Sequence, residues 1–244
     1  MTLSKTAAVL GASGGIGTAV AERLAASGWS LYLHYNSSCD SASTLEKRLT
    51  ETYPDQRFIA VKSDFAAPDG GDRLAAATGD IQAVVSCAGQ GMTKLLSDTD
   101  MDDLDALWRV HVANPMRYIG LVSEKLRRHP VSRVVMIGSI WGDTGAAGEV
   151  AYSAVKGAVH AFVKAYAKEA AASNVLVNAV SPGWIETSMN SHLDEEERRM
   201  AFGEIPLMRP GSPEEVAGTV DFLLSEQSRY ITGEIIKVNG GWYI

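Results

Sequence analysis

The chain has 244 residues, of which 46% are hydrophobic and 21% charged; this fits one α/β domain with ample material for a core and gives no compositional case for disorder. Its 22 basic against 29 acidic residues leave a formal net charge of −7, which excludes the basic stripe that tracks a nucleic-acid backbone. The two cysteines, Cys39 and Cys87, are too few for a disulfide scaffold and lack a histidine at ligand spacing, so no metal site is expected; with no apolar stretch near the roughly 20 residues of a membrane span and no basic, apolar start over Met1–Gly11, the expected setting is the cytoplasm, away from membranes.

Short runs of Val, Ile and Leu alternate with longer Ala-rich stretches, the pattern of βα units closing a parallel sheet buried on both faces. In chain order the residues predict a strand over Thr6–Leu10, a helix over Ile16–Ala26, a strand over Leu31–Tyr35 and a helix over Ser41–Thr52. Next come a strand at Phe58–Lys62, a helix at Asp69–Ala77, a strand at Ala83–Ser86 and one long helix at Asp102–Arg128. The chain continues with a strand at Arg133–Gly138, a helix at Glu149–Ala172, a strand at Leu176–Val180, a helix at Pro213–Leu224 and a strand at Ile235–Val238. Gly28 ends the first helix where a left-handed residue is needed, and Ser181-Pro182-Gly183 ends a strand with a turn. Ser212-Pro213-Glu214-Glu215 opens a helix with a cap, a proline at the first position and acidic side chains against the positive helix end. No repeat or linker divides the chain, so residues 1–244 form one domain. The segment Thr187–Pro210 breaks the alternation. At a strand's carboxyl end it is either a lid over a ligand or a solvated surface helix.

Val9-Leu10-Gly11-Ala12-Ser13-Gly14-Gly15-Ile16-Gly17 lies between the first strand and first helix. Glycines here allow a tight turn and close approach of backbone to a pyrophosphate, which the free N–H groups of the helix start would face. The spacing Gly-x-x-x-Gly-x-Gly resembles that of the short-chain dehydrogenase/reductase family, and the resemblance extends over nearly the whole chain. It implies a Rossmann-type, doubly wound α/β domain with a seven-stranded parallel sheet flanked by helices, binding a nicotinamide dinucleotide through Gly11, Ser13, Gly15, Ile16 and Gly17. Past the second strand, Tyr35-Asn36-Ser37 offers hydroxyl and amide groups and no carboxylate, which favours NADP(H) over NAD(H), although Gly14 stands where NADP-preferring relatives often carry a basic residue. By resemblance Asp64 contacts the adenine ring; the alternative is a turn cap. Ala88 and Gly89 meet the cofactor through their backbone, and Pro182, Gly183, Ile185 and Thr187 form the family's Pro-Gly motif at the nicotinamide and diphosphate.

Tyr152 and Lys156 stand four residues apart on one helix face, and Ser139 lies just past a buried strand, at the sheet edge where ligands bind. The triple matches the family's catalytic Ser, Tyr and Lys. A phenol is a poor acid–base group at neutral pH, and a neighbouring ammonium together with the positive nicotinamide ring is expected to stabilise its anion and lower its pKa. The resemblance assigns proton transfer to Tyr152, a hydrogen bond to the carbonyl oxygen to Ser139, and ribose contact with proton relay to Lys156. Tyr152 and Lys156 therefore also count as cofactor contacts.

Two departures stand out. Ser86-Cys87-Ala88-Gly89 replaces the family's Asn-Asn-Ala-Gly, and His111 occupies the position of the catalytic asparagine, with Asn114 three residues off register. In the family that residue fixes a helix irregularity; His111 either takes over the task or is an ordinary satisfied helix histidine. The expected partner is a ketone substrate, carried on a protein or thioester, with the 3-oxoacyl thioester favoured on breadth of resemblance and a modified lysine as the alternative. Ile185–Met189 and Tyr230–Glu234 resemble the 3-oxoacyl-acyl-carrier-protein reductases, whose basic docking residues correspond at most to Arg127, Arg128 and Arg133 here. Ser139-Ile140-Trp141-Gly142 and the aromatic ending Trp242-Tyr243 resemble instead a branch that reduces the 5-aminopentanone group on a lysine of elongation factor P. A non-catalytic dinucleotide sensor and an NAD-dependent dehydrogenase are the other readings. The family further implies a homotetramer paired through Asp102–Arg128 and Glu149–Ala172.

Overall fold

The computed structural model describes residues 5–187 and 195–244. Its strands are β1 (Thr6–Leu10), β2 (Ser30–Tyr35), β3 (Phe58–Lys62), β4 (Ala83–Ser86), β5 (Ser132–Ile137), β6 (Val175–Pro182) and β7 (Ile235–Val238). The helices are α1 (Gly15–Ala26), α2 (Cys39–Thr52), α3 (Gly70–Ala77), α4 (Met101–Trp108), α5 (Asn114–Arg127), α6 (Trp141–Thr144), α7 (Val150–Ala170), α8 (Glu195–Glu204) and α9 (Pro213–Leu224).

Successive residues of a strand point to opposite faces, so a sheet covered on both sides needs an apolar residue at every position. In β1, Ala7 and Val9 enter one core while Ala8 and Leu10 enter the other, and all four are fully buried. The strand β5 divides in the same way, Val135 and Ile137 against Val134 and Met136. One face is covered by α1, α2 and α9 through Val20, Leu24, Leu45, Leu49 and Val220. The other is covered by α3, α4, α5 and α7 through Leu74, Leu107, Val122, Val159 and Val163. Each such side chain, fully buried, contributes about 1.5–3 kcal/mol relative to exposure.

All seven strands are parallel, in the order β3-β2-β1-β4-β5-β6-β7. The chain therefore winds outward in both directions from the β1/β4 pair, and the crevice past their carboxyl ends is where an open α/β sheet takes a ligand. The expected fold is the one observed.

Several element ends are shifted by one or two residues from expectation, as in β2, α2 and β5, and three further elements differ in detail. The helix expected over Asp102–Arg128 is interrupted by a π-helical turn at Arg109–Ala113, where the backbone accommodates an extra residue between α4 and α5. The helix expected over Glu149–Ala172 ends at Ala170, followed by a tight turn over Ala171–Ser173 and Asn174 in left-handed conformation at φ 55°. The strand expected over Leu176–Val180 runs on to Pro182, because β7 pairs with its far end at Ser181 and Pro182. Within Thr187–Pro210, residues 188–194 lie outside the described residues; α8 supplies the helix expected in the middle of that segment. Gly28 has φ 87° and Ser212 caps α9, both as expected; Glu215 in addition closes the cap into a reciprocal box.

Three histidines are buried in this framework, and burial lowers the pKa of each: His34 to about 4, His111 to about 3 with the Lys156 ammonium adding to the effect, and His160 despite the carboxylate of Asp143. A neutral imidazole inside and an ordinary one, near 6.5, in the unfolded chain mean that the unfolded state binds more protons as pH falls. This stability is complete above pH 6.5 and is lost on acidification from there toward the folded-state values. For His34 alone the loss by pH 4 is about 3 kcal/mol. Urea denaturation at a series of pH values should show stability falling from pH 6.5, above the carboxylate range, with a shallower slope in His34→Gln; a flat profile down to pH 5 would contradict it.

Candidate active site

The glycine loop is shaped by contacts that no side chain would permit. A Cβ on Gly11, where φ is 76°, would lie 2.8 Å from the Ala88 backbone, and one on Gly17 would lie 2.0 Å from the Gly11 carbonyl oxygen. The turn after β1 is thus pressed against the turn after β4, and α1 starts directly on the loop. Gly14 caps α1 without a side-chain hydrogen bond, and its first turn holds no acidic residue. The first helical N–H groups, around Gly15 and Ile16, are left for an anion. Ser13 lies in the same turn. A dinucleotide diphosphate fits this cradle.

His34 holds the loop from behind. Its Nδ1 accepts from the Gly11 N–H at 3.0 Å, its Nε2–H donates to the Ser63 carbonyl at 2.9 Å, and its ring stacks on Phe65 at 4.3 Å. The sequence reading missed this role, since the strand pattern marks His34 only as a polar residue in an apolar run. Asp64 accepts from the Ala66 N–H at 2.8 Å, which is the turn cap weighed as its alternative. At the end of β2 the Tyr35 hydroxyl lies 3.5 Å from Cys39 Sγ, while Asn36 and Ser37 are exposed. The Pro-Gly segment closes over the cradle: Gly183 packs against Asn239, Ile185 is buried beside Gly211, and the Thr187 side chain would meet a Gly15 Cβ at 2.9 Å. Pro182 accepts from the Ile140 N–H at 3.1 Å and so joins this segment to the turn after β5.

Ser139, Tyr152 and Lys156 converge at the mouth of the crevice. Ser139 follows β5, is buried, and its Oγ accepts from the Trp141 N–H at 3.2 Å. Tyr152 and Lys156 occupy one face of α7, with the Lys156 ammonium 5.5 Å from the Tyr152 ring centre. Buried Lys156 donates to the Ile137 carbonyl at 2.9 Å. Burial lowers its pKa to about 8. The phenol behaves differently from the sequence expectation. Burial, with Glu149 adding, raises the Tyr152 pKa to about 12 against the opposing hydrogen bond of Ser139.

His111 sits in the middle of the π turn and edge-on to Tyr152, with ring centres 5.5 Å apart. Its Nε2 lies 2.9 Å from the Gln90 carbonyl oxygen and 3.1 Å from the Gln90 N–H, tying the turn to the loop after β4, where a Gly89 Cβ would strike its ring at 2.7 Å. Asn114 instead bonds Phe65, Ala67 and Gly71. Burial pushes the Cys87 thiol up to about 12, so it is no nucleophile. Among the described residues no group of His, Cys, Asp and Glu is placed to hold a metal, and no helix is long and apolar enough to cross a membrane.

Beyond the triple, Trp141 meets Trp242 and Tyr243, ring centres 5.3 and 5.7 Å apart, although they come from opposite ends of the second half of the chain. Helix α8 packs onto this wall: Phe202 contacts Trp184, and Trp242 Nε1 donates to Glu204 at 3.2 Å. Arg133, counted among the carrier-docking candidates, is buried and donates to the Ser225 carbonyl and Glu226. It belongs to β5, whose residues all face a core, and is not a surface cation.

A family model for enoyl-(acyl carrier protein) reductases matches residues 11–243. The chain is 40% identical to the uncharacterized oxidoreductase YmfI of Bacillus subtilis over 99% of this chain and 100% of that one. It is 36% identical to the 3-oxoacyl-(acyl-carrier-protein) reductase FabG of Aquifex aeolicus, over 98% and 97% of the two chains. Among solved structures, a blue fluorescent protein from a metagenomic library, in complex with NADPH, superposes with a TM-score of 0.92 at 28% identity, covering 98% of each chain. With its glycine cradle and its Ser, Tyr and Lys gathered at one crevice, the chain belongs to the short-chain dehydrogenase/reductase family of NAD(P)-dependent oxidoreductases.

Proposed function

We propose that this protein reduces a ketone to an alcohol with NADPH, the ketone being carried on a protein or a thioester. The observation that carries the reading is the convergence of Ser139, Tyr152 and Lys156 beside the cradle built by Gly11, Gly15 and Gly17. A bound nicotinamide dinucleotide supplies the hydride. Ser139 Oγ–H donates to the substrate's carbonyl oxygen. Tyr152, held as a protonated phenol by its burial, gives its proton to the same oxygen, so the oxygen gains a proton as the carbon gains the hydride. Lys156, anchored on the Ile137 carbonyl, holds the ribose and stabilises the phenolate left behind. His111 packs the Tyr152 ring and braces the π turn. The carboxylate-free end of β2 supports NADP(H), since Asn36 and Ser37 are exposed there to meet a 2′-phosphate. The solved relative with NADPH bound is in keeping with this choice. Asp64, Ala88 and the Pro-Gly segment complete the cofactor contacts, and α8 forms part of a lid.

Two substrates fit. A 3-oxoacyl thioester is supported by the kinship with FabG. The 5-aminopentanone on a lysine of elongation factor P is supported by the mouth itself: the Trp141, Trp242 and Tyr243 rings attract a cationic amine, Glu204 adds an acidic group beside Trp242, and burial of Arg133 removes one of the cations an acidic carrier would use. On geometry we favour the second. The exposed apolar face of α4 and α5, with Leu104, Trp108, Met116 and Leu121, suits the helix-paired homotetramer that the family implies.

Tyr152→Phe should keep cofactor affinity and lose turnover by roughly a hundredfold or more, the scale for removing a general acid. Stopped-flow absorbance of NADPH reads both quantities; near wild-type turnover would refute the assignment, and a greater loss in His111→Ala than in Tyr152→Phe would give His111 a direct proton-transfer role. For the substrate, acetoacetyl thioester and aminopentanone-bearing elongation factor P are each offered with NADPH and with NADH, and mass spectrometry follows the gain of two hydrogens. Conversion of the modified factor, with NADPH preferred at least about tenfold, is the expected result. Conversion of neither would defeat both substrate readings and leave an unidentified small ketone or the non-catalytic sensor.

A further inference from the structure

One buried polar pair plays no part in the chemistry above. His160 lies on α7 one turn beyond Lys156 and is 4% exposed. Its Nδ1 is 3.1 Å from Asp143 Oδ1, on the short helix α6 that follows Ser139. The carboxylate fixes the imidazole tautomer: Nδ1–H donates, and Nε2 is left as a buried acceptor with no partner among the described residues. The ring is wedged under the turn that carries Ser139 and Trp141. A Cβ on Gly138 would lie 2.3 Å from Nε2, and one on Gly142 would lie 2.9 Å from Cε1. The residue before Ser139 and the residue after Trp141 are therefore both glycines pressed onto this imidazole.

An apolar side chain would fill the same space without stranding Nε2, so filling alone does not account for a histidine here. What the imidazole adds is direction. Its bond to Asp143 fixes how α6 sits on α7, and that in turn sets the distance from Ser139 and Trp141, on α6's approach, to Tyr152, on α7. Gly138 N–H and Ile140 N–H tie the turn to β6, at Val180 and Pro182, and Gly142 rests on the Lys156 backbone; the side-chain ties to α7 and its start are those of Ser139 with Tyr152, of Ala146 N–H with Ser153 Oγ at 3.1 Å, and of Asp143 with His160, the one from α6 itself.

We propose that His160 and Asp143 are positioning residues that set the Ser139–Trp141 wall of the substrate site against Tyr152 and so govern substrate affinity rather than cofactor affinity. This rests on the reductase reading above for its kinetic consequence, while the placement of Trp141 is independent of any activity.

The test uses the full-length protein in four forms: wild type, His160→Leu, Asp143→Ala and Asp143→Asn. Near-ultraviolet circular dichroism reports the packing of Trp141 against Trp242 and Tyr243 without turnover, and steady-state reduction of whichever of the two substrates above the wild type converts, acetoacetyl thioester or aminopentanone-bearing elongation factor P, gives kcat and KM. In His160→Leu and Asp143→Ala the aromatic signal should weaken and KM rise tenfold or more, with kcat falling less and NADPH affinity staying within twofold. Asp143→Asn, whose amide oxygen still accepts from Nδ1–H, should restore both signal and KM. Wild-type signal and KM in Asp143→Ala, or an equal loss in Asp143→Asn, would overturn the proposal; Asp143 reaches the surface, so this pair of variants decides the matter even if His160→Leu fails to fold. If the wild type reduces neither the thioester nor the modified factor, the substrate reading fails and the dichroism series still decides the positioning role.

Discussion

Gly11 lies so close to Ala88 that even a methyl group between them would clash with backbone. That contact joins the turns after β1 and β4, the two strands from which the sheet winds outward in opposite directions. Because the turns leave in opposite directions, they open the crevice; because they touch, the start of α1 is held at its floor. The cradle, the Pro-Gly segment over it and Ser139, Tyr152 and Lys156 at its mouth are all placed relative to this contact. His34 secures it by taking the Gly11 N–H, and the tautomer that allows this is fixed by Ser63.

Burial has a double effect at the reactive end. Hydrophobic cover on both faces of the sheet stabilises the fold, yet the same cover removes water from Tyr152, Lys156, His111 and His160 and shifts each toward its neutral form. In the proposed reaction the neutral form of Tyr152 is the proton donor. For Lys156 a lowered pKa near 8 leaves the ammonium close to balance at physiological pH, where an anionic neighbour decides its charge. The fold thus gives up some acid stability at positions where neutral groups serve the chemistry.

The mouth of the site is assembled differently from its floor. Floor contacts are backbone against backbone and tolerate no side chain. The mouth is a wall of rings from the turn after β5 and from the C-terminal segment, overlain by α8, and its shape depends on how α6 rests on α7. Substrate choice is therefore open to change by a few side chains while the dinucleotide cradle stays fixed.

The order of strands and helices, the glycine loop and the shared face of Tyr152 and Lys156 were legible in the sequence, because each follows from a local rule: doubled apolar runs for a covered strand, glycine where the chain turns tightly, four residues to a helical face. Long-range packing decided the rest. The π turn at His111 leaves no mark in the 3.6-residue periodicity of Asp102–Arg128 and is signalled only by the family position of His111, whose ring meets Gln90 of the loop after β4. Arg133 reads as a surface cation until β5 is placed between two cores. Tyr152 was expected to acidify beside Lys156, and the desolvation that reverses this exists only once the helices close over it. The meetings of Trp141 with Trp242, of His34 with Gly11 and of His160 with Asp143 join residues from different elements, whose spacing in space is set by the sheet and not by the chain between them.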